Sequence, residues 1–270
     1  MRAAIAGAVV LLAATASAQD GSARALLQQA RQQSNDGQAV AALETLRRAR
    51  ALAPNSEEVL SAYARTALAA RSPIPAIAVL EPLTRMCPTV ADYHYLLGVA
   101  LLQAGDAVSA VDPLRAAEAL EPDRAITLAA LGLALNNRKL YAEAKPFLLR
   151  SLELQPESLE ATAALAEAEE GLDELERAES HARKVLAGAG DNPTAHLVLG
   201  MVAMKRGQHA EARDFLLRAV SADATLQKAH YQLSLVYTRL GDEASSSKHL
   251  ELYRKSLQET QERMKAMRAR

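Results

Sequence analysis

Residues 95–110 read YLLGVALLQAGDAVSA, an alanine-rich apolar run that stops at Gly105-Asp106 and then resumes. The pattern returns at 129–144 as AALGLALNNRKLYAEA and at 197–212 as LVLGMVAMKRGQHAEA, one and three periods of 34 residues further on. The frame holds between these stretches without a gap. A fixed period of this length indicates a stack of similar units, none of which can bury its apolar face alone.

A 34-residue frame that begins at Ala23 contains seven units: 23–56, 57–90, 91–124, 125–158, 159–192, 193–226 and 227–260. Every unit has a small residue at its eighth position (Ala30, Ala64, Gly98, Gly132, Ala166, Gly200, Ser234) and at its twentieth (Ala42, Ala76, Ala110, Ala144, Ala178, Ala212, Ser246). Small side chains let two helix backbones approach closely. Leu predominates at the twenty-fourth position, where we expect it to fill the gap to the neighbouring unit.

Turn and capping residues recur at the expected places in this frame. Gly is frequent at the fifteenth position, where its left-handed conformation would end a helix. Ser56, Ser158 and Asn192 precede first helices, where each could serve as an N-cap. Each unit is therefore predicted to be a pair of helices joined by a short turn.

The composition supports helices throughout, because half of the residues are hydrophobic, only 3% are aromatic, and Ala and Leu favour helix. The 34-residue pattern resembles the tetratricopeptide repeat, a helix–turn–helix unit, over nearly all of residues 23–260. The resemblance implies an all-α fold: a right-handed α–α superhelix of about seven repeats, forming a single solenoid domain.

The N-terminus has the pattern of a secretory leader: Arg2, an uncharged apolar run, and then Ala16-Ser17-Ala18. We expect residues 1–18 to be a signal peptide, leaving 19–22 as a short N-terminal segment; an uncleaved membrane anchor is the alternative. The style of the leader predicts export to a bacterial periplasm, with full secretion as the second possibility. The one cysteine, Cys87, allows no internal disulfide.

The C-terminus predicts a long final helix, with residues 261–270 as its extension and basic tail. An apolar stripe of Leu250, Tyr253, Leu257, Met264 and Met267 would cover the exposed end of the solenoid. Dimerisation through this helix is the alternative, and the basic tail could contact anionic lipid.

Residues 153–179 hold ten acids and one base. This stretch is interpreted either as a solvated helix face or as a docking patch for a basic partner.

The resemblance implies that first helices line a concave groove. Residues at the inward positions form a mixed but largely apolar surface that could bind a protein or an extended or helical peptide. The candidates are Leu68, Tyr95, Val99, Leu102, Ile126, Leu133, Asn136, Asn137, Leu197, Met201, Met204, Lys205, Tyr231, Leu235 and Arg239. Burial of several of them between helices is the competing interpretation.

No catalytic, cofactor-binding or metal-binding motif is found. The histidines follow the repeat phase, and Cys87 with His94 lacks a third orienting group. The net charge of −1 gives no electrostatic attraction toward nucleic acid. The sequence therefore predicts a non-enzymatic interaction scaffold of the bacterial envelope. The alternatives are a repeat-scaffold hydrolase or metal-dependent enzyme, and a structural protein that self-assembles through its C-terminal helix.

Overall fold

The fold is all-α. The computed structural model describes the backbone of residues 21–268 and the side chains of residues 21–266, so the predicted leader lies outside the described residues. The described chain contains helices and no strand. In chain order the helices are α1 (21–35), α2 (Ala39–Leu52), α3 (Glu57–Ala69), α4 (Pro73–Met86), α5 (Ala91–Ala104), α6 (Ala107–Leu120), α7 (Ala125–Asn137), α8 (Tyr141–Leu154), α9 (Leu159–Gly171), α10 (Leu175–Ala189), α11 (Pro193–Lys205), α12 (His209–Ala222), α13 (Gln227–Leu240) and α14 (Glu243–Arg268).

The packing divides the described residues into two compact units, a first that ends at Gln103 and a second that begins at Ala104. In the first unit α2 packs on α3 and α3 on α4. In the second unit each helix from α6 to α14 packs on the next, and first helices also contact one another, as in α7–α9, α9–α11 and α11–α13. Among the described residues the second helices make no comparable contact with each other. The first helices therefore form the inner, crowded side of the second unit.

The small residues lie where the two helices of a repeat touch. An ideal Cβ on Gly132 would lie 2.5 Å from the Leu148 side chain, and one on Gly200 would lie 2.6 Å from Leu216. The leucine at position 24 thus packs over position 8 of its own repeat. Glycine leaves a hollow that a γ-branched side chain can fill. Leu216 also lies in one core cluster with Ala229, Leu233 and Val236 of the next repeat, as expected for a leucine that fills the gap between neighbouring units.

The turn inside each repeat uses the left-handed backbone region. Gly37, Gly105, Gly207 and Gly241 have φ between +75° and +88°. In the remaining three repeats Arg71, Lys139 and Asp173 occupy the same position, with φ of 51°, 61° and 65°. The turn geometry is therefore set by the packing of the helices and is imposed even where the residue does not favour it.

The predicted N-caps are present. The side chains of Ser56, Ser158 and Asn192 accept hydrogen bonds from the backbone N–H groups three residues later, at 3.5, 3.2 and 2.9 Å. Each cap satisfies a donor that the first turn of a helix leaves unpaired.

The final helix α14 has 26 residues, whereas α2–α13 have 13 to 15. Leu250, Tyr253, Leu257 and Met264 are half-buried along one face, as the predicted stripe requires, and the side chain of Met267 lies outside the described ones. In the described part of the chain no helix combines the length and the apolar character needed to cross a membrane.

Candidate functional site

The candidate groove residues fall into three groups by exposure. Leu68, Asn136 and Leu197 are buried, so they contribute to packing and present little surface. Tyr95, Val99, Leu102, Met201 and Met204 are half-buried. Ile126, Leu133, Asn137, Lys205, Tyr231, Leu235 and Arg239 are exposed.

The exposed apolar candidates of the second unit form two rows. Ile126 and Leu133 are separated by two turns of α7 and are 42% and 39% exposed. Tyr231 and Leu235 are one turn apart on α13 and are 40% and 38% exposed. Residues spaced this way share one helix face. Each row is therefore a strip of apolar surface on a first helix.

Helix α9 contrasts with these rows, because all residues from 161 to 170 are buried. Its alanines, including Ala163, Ala164 and Ala166, allow α7 and α11 to pack closely on both sides. The burial includes Glu167, Glu169 and Glu170, of which Glu169 and Glu170 are only 2% exposed. These three acids of the 153–179 stretch are therefore not part of a solvated face and are not available to a basic partner.

Each buried acid has a specific partner from another helix. The Lys228 ammonium on α13 lies 2.8 Å from Glu167 Oε1. The Lys205 ammonium on α11 lies 3.0 Å from Glu170 Oε1 and also donates to the backbone carbonyl of Glu170 at 2.5 Å. His181 Nδ1 on α10 lies 2.7 Å from Glu169 Oε2. The pairs satisfy charges that would be costly to bury alone.

The balance of effects at Lys228 favours the charged form. Burial works to lower the pKa of Lys228, but the charge and hydrogen bond of Glu167 outweigh it, and the net pKa is raised. The ammonium also lies 5.9 Å from the centre of the Tyr141 ring, within range of a cation–π interaction. Lys228 thus acts as a charged bridge from α13 to α9, across the intervening repeat.

Asn136 forms a second link on the inner side. Its Nδ2 donates to the carbonyl oxygen of Ala164 at 2.7 Å, which joins α7 to α9. The neighbouring Asn137 is exposed. The two asparagines therefore have different roles: Asn136 fixes the packing, and Asn137 belongs to the accessible surface.

The environment of Cys87 disfavours the thiolate form of its side chain. Burial, followed by the negative charge of Glu57, raises the pKa of Cys87, whereas a nucleophilic cysteine needs a lowered pKa. Glu57 also accepts a hydrogen bond from the Tyr93 hydroxyl at 2.6 Å. Burial together with this carboxylate raises the pKa of Tyr93 to about 12. His94 Nε2 hydrogen-bonds the Pro88 carbonyl at 2.9 Å. Within the described residues, no three His, Cys, Asp or Glu side chains converge as a metal site.

Sequence models described as tetratricopeptide repeat match residues 62–125, 125–158 and 163–226, which together make up more than half of the chain. The chain belongs to the tetratricopeptide repeat family. No curated protein matches this tetratricopeptide repeat chain by sequence alone.

Solved structures resemble this tetratricopeptide repeat protein in fold. A tetratricopeptide repeat protein from Parabacteroides merdae gives a TM-score of 0.69 at 12% identity, over 92% of this chain and 99% of that one. PilW, described as a widely conserved type IV pilus biogenesis factor, gives a TM-score of 0.57 at 17% identity, over 72% of this chain and 90% of that one. A thermophilic tetratricopeptide repeat protein from Thermus thermophilus gives a TM-score of 0.51 at 23% identity, over 74% of this chain and 98% of that one.

The contribution of Lys228 to the inner surface was missed in the sequence. Lys228 and Glu167 are 61 residues apart, at the second position of one repeat and the ninth position of the repeat two before it. A search for opposite charges at inward positions two repeats apart could have found the pair. The repeat pattern alone relates each unit only to its immediate neighbours.

Proposed function

We propose that this protein is a non-enzymatic scaffold that binds an apolar segment of a partner protein, as a peptide or a helix, on the first helices of the second unit. The single observation that carries the proposal is the pair of exposed apolar rows: Ile126 and Leu133 on α7, and Tyr231 and Leu235 on α13. Exposed apolar residues that repeat on one side of a fold are typical of a binding surface.

The physical basis of binding is the removal of these rows from water. Each large apolar side chain contributes about 1.5–3 kcal/mol on full burial, so four partly exposed ones supply a useful part of a moderate affinity. Met201 and Met204 are half-buried on α11, and their flexible thioethers can adapt to different apolar groups. The polar residues Asn137 and Arg239, both exposed, would select the partner at the rim.

We place this scaffold in the bacterial envelope, and the support is the leader pattern of residues 1–18. Cell fractionation of the full chain, compared with a chain lacking residues 2–18, tests the location. We expect the full chain in the exported fraction, cleaved after Ala18, and the shortened chain inside the cell. Retention of the full chain with its leader uncleaved would refute this placement.

The binding surface is tested by a matched pair of variants. Leu133→Glu with Leu235→Glu places charges in both rows. Leu149→Glu with Leu217→Glu places the same charges on the second helices α8 and α12, at leucines that are also exposed. Crosslinked capture from the native source, followed by mass spectrometry, should lose its specific partner with the first variant and keep it with the second. Equal capture by both variants, with unchanged circular dichroism, would show that the rows are not the binding surface.

A further inference from the structure

The distal part of the final helix contacts both its own repeat and a turn that is distant in sequence. Gln227, at the start of α13, donates from Nε2 to Ser256 Oγ at 3.0 Å and to Thr260 Oγ1 at 2.9 Å. An ideal Cβ on Gly105, in the turn before α6, would lie 2.9 Å from Thr260 Cγ2. The distal half of α14 therefore lies against the start of α13 and against the turn before α6, which is far away in sequence.

This helix also covers part of the proposed binding surface. The rings of Tyr231 and Tyr253 have centroids 5.3 Å apart, so α14 shields one side of the apolar row on α13. Displacement of α14 would expose Gln227 and more of Tyr231. How firmly α14 is held thus determines how much of α13 a partner can reach.

A histidine pair lies in the seam between α13 and α14. His230 Nδ1 and His249 Nδ1 are 3.0 Å apart, and the ring centroids are 5.3 Å apart with planes inclined by 27°. These values require the two nitrogens to point almost straight at each other. Two ligands of one metal ion would instead have converging lone pairs, so the geometry is that of a hydrogen bond.

The position of the protons follows from the neighbours. His230 Nε2 lies 3.1 Å from the Ala224 carbonyl oxygen, which can only accept, so Nε2 carries the proton of the neutral ring. His230 Nδ1 then has a free lone pair, and His249 Nδ1–H donates into it. A first added proton, on either ring, still leaves one N–H between the two Nδ1 atoms. When both rings are protonated, both Nδ1 atoms carry N–H groups that face each other, and the hydrogen bond is lost.

The charges that lower the pKa of His249 come from His230 and Lys248, and both are positive. His249 stacks on the Tyr237 ring of α13, with centroids 5.6 Å apart and planes inclined by 8°. Arg213 of α12, near Tyr237, is paired with the Asp214 carboxylate at 2.8 Å. The carboxylate of Asp223, in the turn before α13, is occupied by hydrogen bonds from Thr225.

We propose that His230 and His249 form a proton-operated latch that holds α14 on α13 at neutral pH and releases it in acid. The latch is independent of whether the exposed rows bind a partner.

The direction of the effect agrees with the titration of His249. Burial, then the positive charges of His230 and Lys248, lowers the pKa of His249 below its usual value. A histidine with a lowered pKa stabilises the fold above its unfolded pKa of about 6.5, and this stabilisation is lost as the pH falls through the folded value. Acid therefore weakens the seam.

Hydrogen exchange of the full chain, read by mass spectrometry at pH 7.5 and pH 5.0 and corrected for the intrinsic rates, tests the latch. In the unchanged protein we expect exchange of 243–268 to rise severalfold at the lower pH, relative to 193–205. His249→Asn keeps a group that can donate to or accept from His230 and does not titrate, so α14 should stay protected at both pH values. His249→Phe keeps the stacked ring without the hydrogen bond, so α14 should already exchange faster at pH 7.5.

His94→Gln, in the first unit, is the control and should respond as the unchanged protein does. The latch is overturned if His249→Asn retains the full response to acid or if the unchanged protein shows none. It is also overturned if His249→Phe matches the unchanged protein at pH 7.5, because the hydrogen bond would then not hold the helix.

Discussion

Three residues with side chains, Lys139 among them, adopt a left-handed backbone conformation that glycine would adopt at lower cost. Lys139 is exposed and has φ of 61°, in the region that costs a residue with a Cβ about 1–2 kcal/mol. Lys139→Gly removes that strain and adds some unfolded-state entropy, so we expect a net gain of about 0.5–1 kcal/mol, measured by urea denaturation. Arg138→Gly is the control, because Arg138 has φ of −88° and gains nothing from glycine. The strain argument fails if both variants lose stability equally.

The residue scale also shows where sequence reasoning succeeds and where it ends. The repeat period alone predicts the close helix contact at Gly132 and Ala144, because this contact is local to one helix pair. The burial of Glu167 and Glu170 could not be predicted in the same way. Their partners, Lys228 and Lys205, come from later repeats, and a charged residue on a helix usually faces water. Leu68 and Leu197 are predicted groove residues that the structure buries. The repeat frame indicates that their side chains point inward, but it does not give the distance to the next repeat, which decides whether they are covered.

At the scale of the helix, α9 depends on the bridge from α13. Lys228→Met leaves Glu167 buried without its partner, and we expect a loss of about 2 kcal/mol in the free energy of unfolding. Glu167→Gln in the same chain should recover much of that loss, since the buried charge is then gone. Urea denaturation of the two single variants and the double variant gives the coupling energy.

The matched control for this cycle is an exposed arginine with two solvated carboxylate partners. Arg150 lies 2.8 Å from Glu153 and 2.8 Å from Asp123, and all three side chains are largely solvated, so Arg150→Met should cost less than about 0.5 kcal/mol. A loss at Lys228→Met as small as this would mean that the bridge does not stabilise α9.

The existence and order of the helices were accessible from the sequence, because alanine, leucine and periodic turns agree at every repeat. The path of α14 was accessible only in part. Its apolar stripe predicted burial of Leu250 and Tyr253, but the contact of Thr260 with the turn at Gly105 joins residues that no repeat period relates. The position of a terminal helix depends on the curvature of the stack, which arises from small packing differences summed over many repeats.

At the scale of the whole molecule, two compact units imply that damage to one need not unfold the other. Stability in a repeat array is carried by each repeat and its nearest neighbours, so a defect spreads through adjacent contacts.

Ala144→Glu tests whether a defect stays within one unit, because Ala144 is fully buried on α8 where that helix meets α7. A glutamate there must either bury a charge or separate the helices, and we expect a loss of about 4 kcal/mol. Ala142→Glu, on the exposed face of the same helix, should change stability by less than about 0.5 kcal/mol. In hydrogen exchange, Ala144→Glu should remove protection from α7 to α9 while α2–α4 keep theirs. Uniform loss of protection over both units would show instead that the chain unfolds as one cooperative body.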